Sequence, residues 1–197
     1  ASSAASDVYK RQDMMENAPD MTEMYGGRPE VAMFATDPTT GLELKGKADW
    51  LPEEPDENGV YWIVDYKTTR MSTERLYDGK SVAKDVRDLG YHIQAAYYMR
   101  LYKLITGTNN PVRFVFWFQQ TVPPYNTRRW FFDELQPEIT EIANRRIDLA
   151  LGELKWWKEH GWIDGMIASQ YEPEPEMIQF SDWQLLDEEE RIDQWLK

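Results

Sequence analysis

The sequence predicts an α/β domain, a mixed central β-sheet flanked by helices. Segments of strand and helix period follow one another in the order β-β-β-α-β-(β)-α, which suits helices layered on a sheet with both parallel and antiparallel pairs. The run "VRFVFWFQQ" is apolar on both faces, as a central, fully covered strand requires. Of 197 residues, 42% are hydrophobic and 9 are Trp, which supports a packed core rather than disorder.

The elements follow in order. "ASSAASDVYKRQ" at the start is small and polar without periodicity, and reads as a leader foreign to the fold; residues 1–28 are expected to be that leader plus a truncated N-terminal region. From Pro29, "EVAMFATDPTTGLELKGKADWL" gives two strands joined by a turn over Asp37-Pro38-Thr39-Thr40-Gly41. The polar loop "PEEPDENG" leads to a strand at 60–68. One helix is expected at about 84–106, with Ile93, Tyr97, Leu101, Leu104 and Ile105 on one side and Gly107 as its stop. After "VRFVFWFQQ", "RRWFFDEL" reads as a further strand. Pro137 then opens a long helix to about 160, carrying Ile139, Ile142, Ile147, Ala150, Leu154 and Trp157 at helical spacing, and Gly161 closes it. The main domain is expected over 29–165. An acidic linker ("EPEPE") and a short amphipathic acidic helix ("SDWQLLDEEERIDQWL") fall within 166–197.

Composition narrows the chemistry. With 0 Cys and only His92 and His160, thiolate zinc sites and imidazole-rich metal sites are disfavoured, so a metal should be held by carboxylates: Mg²⁺, Mn²⁺ or Ca²⁺. The lack of Cys also fits a reducing cytoplasm. No apolar run approaches the ~20 residues of a membrane span, and no stretch reads as a signal peptide. The net charge of -13 argues against nucleic acid until its distribution is read. Residues 161–197 hold 10 acidic and 2 basic side chains, whereas 67–87 hold six basic residues, among them Arg70, Arg75, Lys80, Lys84 and Arg87, against three acidic. These five are candidates for a phosphate-backbone track, or else a solvated loop and helix start.

Within "GVYWIVDYKTTR", alternation puts Val60, Trp62, Val64 and Tyr66 on one face of the strand and Tyr61, Ile63, Asp65 and Lys67 on the other. Asp49 ends the preceding strand. If these strands pair as a hairpin across 51–59, Asp49 lies beside Asp65. Two adjacent carboxylates repel unless a cation sits between them, and a hard divalent ion fits, with the Tyr66 carbonyl as a further oxygen ligand. Such an ion keeps waters, binds phosphates and activates a water for hydrolysis; Lys67 is suited to neutralise charge on the phosphorane. A solvated Asp–Lys ion pair is the simpler alternative. On the following helix Gln94 and Tyr98, four apart, share a face.

"KAD" (47–49), "VDYKT" (64–68) and "QAAYY" (94–98) together resemble the signature of the PD-(D/E)XK nuclease superfamily, and the longer stretches look closest to RecE-type (exonuclease VIII-like) phage and prophage nucleases, over roughly residues 29–135. The resemblance implies a restriction-endonuclease-like core and a Mg²⁺-dependent (or Mn²⁺-dependent) exonuclease that degrades one strand from duplex DNA ends for recombination. It also implies a single-strand annealing partner, a homo-oligomer and a place in the bacterial host cytoplasm. By motif position Asp49 and Asp65 become metal ligands, Lys67 the catalytic lysine, and Gln94 and Tyr98 the accessory pair. Glu30 matches an acidic position that helps hold the metal. Ala48 stands where the motif's proline would be, and the leader stands where the family places helical structure. An endonuclease or a repair or CRISPR-type nuclease on the same core, and a catalytically silent module recruiting a partner through the acidic tail, are the alternatives.

Overall fold

Asp37 turns the first hairpin. Its Oδ2 accepts the Thr40 N–H at 2.8 Å and the Thr40 hydroxyl at 2.7 Å, its own N–H donates to the Leu42 carbonyl, and Gly41 takes the left-handed conformation. The turn joins β1 (Gly27–Thr36) to β2 (Glu43–Pro52) in an antiparallel pair running from Thr36↔Glu43 to Gly27↔Pro52. The computed structural model describes residues 12–18, 20, 26–134 and 137–161. The expected leader, apart from its last residue, and the acidic linker and C-terminal helix lie outside those residues. The chain divides into two compact units, Ala1–Lys155 and Trp156–Lys197.

In the first unit, β3 (Tyr61–Thr69) pairs antiparallel with β2 through Trp50↔Val64. Two short helices, α1 (Thr73–Tyr77) and α2 (Gly79–Asp88), lead to α3 (Tyr91–Thr106). The chain then returns as β4 (Val112–Gln120), parallel to β3, and turns antiparallel into β5 (Thr127–Asp133), before α4 (Pro137–His160). The five-stranded sheet has the order β1-β2-β3-β4-β5, the mixed sheet flanked by helices that the sequence predicts. β4 is buried at eight of nine positions, but it stands next to the edge, and β3 is the middle strand.

Strand alternation separates two apolar clusters. Ile63, Phe114, Phe116 and Phe118 pack with Ala95, Ala96, Met99 and Leu101 of α3 on one face. Trp50, Val64, Val115 and Trp117, with Trp62 and Tyr66 against them, form the other. Asp65 and Lys67 share the parity of Ile63, so they rise on the α3 side.

One helical expectation is corrected. The single helix at 84–106 is two helices, because Gly90 sits at φ 71°, a left-handed conformation that ends α2 and caps α3. The buried stripe of α4 is Ala143, Ile147 and Leu151, at i, i+4 and i+8; Ile139, Ile142 and Leu154 are exposed. Apolar spacing alone could not choose between the two registers. In the second unit's described part, the Trp156 ring stacks on His160 at 4.4 Å and meets Trp157 edgewise at 4.7 Å. No helix among the described residues is long and apolar enough to cross a membrane.

Candidate active site

β2 and β3 part company at the site. Among the described residues Trp50↔Val64 is their one backbone pair, and beside it a side chain links the strands: Oδ2 of Asp49 accepts the backbone N–H of Tyr66 at 2.8 Å. This bond satisfies a strand N–H and draws the Asp49 carboxylate to the edge where Asp65 rises. The hairpin placement of Asp49 beside Asp65 is therefore what the structure contains.

Asp65 is 4% exposed. Its Oδ1 accepts from Gln94 Nε2 at 2.9 Å, and its Oδ2 is paired with the Lys67 ammonium at 2.8 Å. Burial pushes the Asp65 carboxyl above the usual carboxylate range, and the Asp49 charge adds to that; Lys67 and Gln94 pull the other way. A buried carboxylate that keeps a second carboxylate nearby fits a hard dication. Asp49 and Asp65 would hold it, with the Tyr66 carbonyl and waters as the remaining oxygen donors.

One face of α3 contacts all parts of the site. Gly90 starts the helix, so that Tyr91, Gln94 and Tyr98, at i, i+3 and i+7, stand one above another over β2 and β3. The Tyr91 ring lies under Lys67, with Nζ 4.6 Å from its centroid. Gln94 holds Asp65. The Tyr98 hydroxyl donates to the Lys47 carbonyl at 3.0 Å, two residues before Asp49, so its contact is with the strand that carries the carboxylate. The helix comes this close because residue 46 is glycine: a Cβ there would meet Leu101 Cδ2 at 3.0 Å and Tyr98 Cε1 at 3.2 Å. Sequence reasoning missed Tyr91; its signal was a position one turn before Gln94.

Glu30 falls opposite Asp49, between the pairs Pro29↔Trp50 and Val31↔Ala48, and takes φ 56°, rare for a non-glycine residue. Its carboxylate pairs with Lys47. Among the described residues no three His, Cys, Asp or Glu side chains cluster closely enough to hold a metal ion; Asp49 acts on Asp65 as a neighbouring charge, while Glu30 is paired with Lys47. Of the basic track, Arg75 pairs with Asp85, and Lys84 and Arg87 pair with Asp88; Arg70 and Lys80 are exposed, with no ion pair recorded among the described residues. Trp130 donates its Nε1–H to the Leu76 carbonyl and packs on the core, while Tyr77 is 48% exposed with Arg128 over its ring at 5.1 Å. His92 is buried, its Nδ1 3.4 Å from the Val86 carbonyl, a packed residue.

The architecture has solved counterparts. The crystal structure named "Putative exonuclease" from Eubacterium rectale superposes with a TM-score of 0.57 at 16% identity, covering 90% of this chain and 64% of that one. At that identity the likeness is one of fold, and the chain spans 64% of that structure's length. The structure of SSO0001 gives a TM-score of 0.35 at 15% identity over 73% of this chain and 58% of that one, too loose to bear on the fold. No curated protein matches the chain. Residues 5–158, which contain every residue of the site, match the family model described as a PDDEXK-like domain of unknown function (DUF3799), and the chain belongs to that family.

Proposed function

We propose that the protein is a Mg²⁺-dependent deoxyribonuclease, an exonuclease of the RecE type that hydrolyses one strand from duplex DNA ends for recombination. The observation that supports this reading is the convergence of Asp49, Asp65, Lys67 and Gln94 where β2 and β3 meet α3. Family membership supports a nuclease; the exonuclease assignment rests on the resemblance of the three motif stretches.

Each side chain has a task. Asp49 and Asp65 would hold the cation. Bound there, Mg²⁺ would acidify a water and polarise the scissile phosphate. Gln94 keeps the Asp65 carboxylate in one orientation. Lys67, already charge-paired at a partly buried position, is placed to donate to a non-bridging phosphate oxygen as negative charge builds there. Arg70 and Lys80 are the candidates for the duplex backbone, and the pairs at Arg75, Lys84 and Arg87 would have to exchange their carboxylates for phosphates. Glu30 would reach the ion's waters if Lys47 released it. An annealing protein that takes up the single strand and a ring of copies around the product are the partners this reading implies.

The test is a digestion time course on end-labelled linear duplex and on closed circular duplex, each with Mg²⁺ and with EDTA. The expected result is Mg²⁺-dependent loss of linear DNA from its ends while circles stay intact. Cleavage of circles would make it an endonuclease on the same core. No cleavage of either substrate, or cleavage in which Asp49→Ala and Lys67→Ala match the wild type, would overturn the assignment.

A further inference from the structure

Lys67 has two neighbours of opposite character. On one side is the Asp65 carboxylate at 2.8 Å; on the other is the face of Tyr91, 4.6 Å from Nζ to the ring centroid. Tyr91 is itself fixed. It opens α3 behind the left-handed Gly90, and its ring stacks on Phe116 of β4 at 5.6 Å between centroids with 29° between planes. Phe116 is fully buried, so the ring rests on the core.

We propose that Tyr91 is a positioning residue for Lys67, its ring face holding the ammonium in place by a cation–π contact; the proposal deepens the nuclease reading and rests on it. The physical argument turns on what an anchor does to the lysine's capacity. A second carboxylate would claim an N–H and compete with a phosphate for the charge. The ring attracts the cation through its quadrupole, carries no charge, and leaves the ammonium electrophilic. It also restrains a four-carbon stem that would otherwise sample many rotamers, which matters most when the Asp65 oxygens are engaged elsewhere. The contact comes from a different element than Asp65, so the lysine is gripped between β3 and α3. The same helix face that orients Asp65 through Gln94 thereby sets the position of Lys67.

The experiment compares wild type, Tyr91→Phe, Tyr91→Leu and Lys67→Ala in two measurements. The first is ¹H–¹³C NMR of lysine ε-methylenes in the metal-free full chain, with Lys67 assigned by its loss in Lys67→Ala. The ring current should move the Lys67 Hε signals upfield in wild type and Tyr91→Phe, and back to the bulk lysine position in Tyr91→Leu. The second is steady-state cleavage of linear duplex in Mg²⁺, well below each melting temperature. Tyr91→Phe should keep wild-type kcat, while Tyr91→Leu should lose about ten-fold in kcat with KM little changed. Unshifted Lys67 signals in wild type, or a Tyr91→Leu kcat equal to wild type, would overturn the positioning role. If Lys67→Ala cleaves as fast as wild type, the assigned role of Lys67 in cleavage fails, and the NMR comparison still decides whether Tyr91 holds the lysine.

Discussion

Gln94 of α3 donates its Nε2–H to Oδ1 of Asp65 on β3 across 2.9 Å. The bond joins the helix to the middle strand at a buried carboxylate, and it stabilises the charged form of that carboxylate. Without it Asp65 keeps the Lys67 pair but loses its orientation. Gln94→Ala is therefore expected to lower cleavage by about ten- to a hundred-fold, the scale of a small misplacement of a reacting group. Loss of a hydrogen bond to a charged group should lower stability by only about 1.5–3 kcal/mol. Steady-state kinetics alongside thermal unfolding by circular dichroism separates the effects, and a Gln94→Ala variant that cleaves like wild type would remove Gln94 from the machinery.

Asp65 is a site where function opposes stability. Burial raises its carboxyl, the Asp49 charge reinforces this, and Lys67 and Gln94 do not fully offset it. For an acid whose folded value lies above its unfolded one, the folded state binds the proton more tightly. Its stability contribution is greatest at pH below the ordinary carboxylate value, and is lost as pH rises through the raised value. At neutral pH the ionised Asp65 is thus a net cost. Asp65→Asn should raise Tm at pH 7 in metal-free buffer and abolish cleavage, with the Tm gain disappearing near pH 3. A Tm that falls at pH 7 would show that the Lys67 pair outweighs desolvation.

Much of this arrangement was legible in the sequence, and the reasons are specific. The period-two pattern of residues 60–67 fixed which side chains rise beside Asp65, because a strand admits only two faces. The Asp49–Asp65 pairing followed from hairpin geometry. Tyr91 was not legible, because it acts through α3 lying over β3, and how a helix crosses a sheet is a tertiary fact. Glu30 shows the same limit: its register places it opposite Asp49, but its rotamer belongs to Lys47. The break at Gly90 was missed because a glycine inside a helical pattern is locally compatible with both continuation and a left-handed stop. The ion pairs that tie up Arg75, Lys84 and Arg87 were also hidden: a count of basic residues over 67–87 does not show which carboxylates they meet in space.

Metal binding should be readable as stability. Asp65 is paired with Lys67 yet still repelled by the Asp49 charge, a repulsion that a dication would relieve. A ligand that binds only the folded state stabilises it by RT ln(1 + [L]/Kd), about 1.4 kcal/mol at ten times Kd. Wild type should therefore melt higher in Mg²⁺ than in EDTA, and Ca²⁺ should do the same without requiring turnover. Asp49→Asn and Asp65→Asn should each suppress the shift, whereas Glu30→Gln should keep most of it, because Glu30 is turned to Lys47. Differential scanning fluorimetry across a metal titration checks this. An undiminished shift in both Asp variants would place the ion elsewhere.

The close seat of α3 on β2 gives the last prediction. Gly46 lies under Tyr98 and Leu101, and a bare Cβ would already come within 3.0 Å of Leu101 Cδ2 and 3.2 Å of Tyr98 Cε1. Leu101 is fully buried and cannot move aside freely. Gly46→Val adds two more carbons to that contact, so the helix must lift from the strand. Overpacking of this kind costs about 1–3 kcal/mol. The lift would also stretch the Tyr98 bond to the Lys47 carbonyl and, through the next residues of β2, draw Asp49 away from the Tyr66 N–H. Gly46→Val should consequently lose both stability and cleavage, while Tyr98→Phe, which removes only the hydroxyl bond, should lose less of each. Chemical denaturation paired with kcat measurement tests this ordering, and a Gly46→Val variant with wild-type stability would mean that α3 has room the structure does not show.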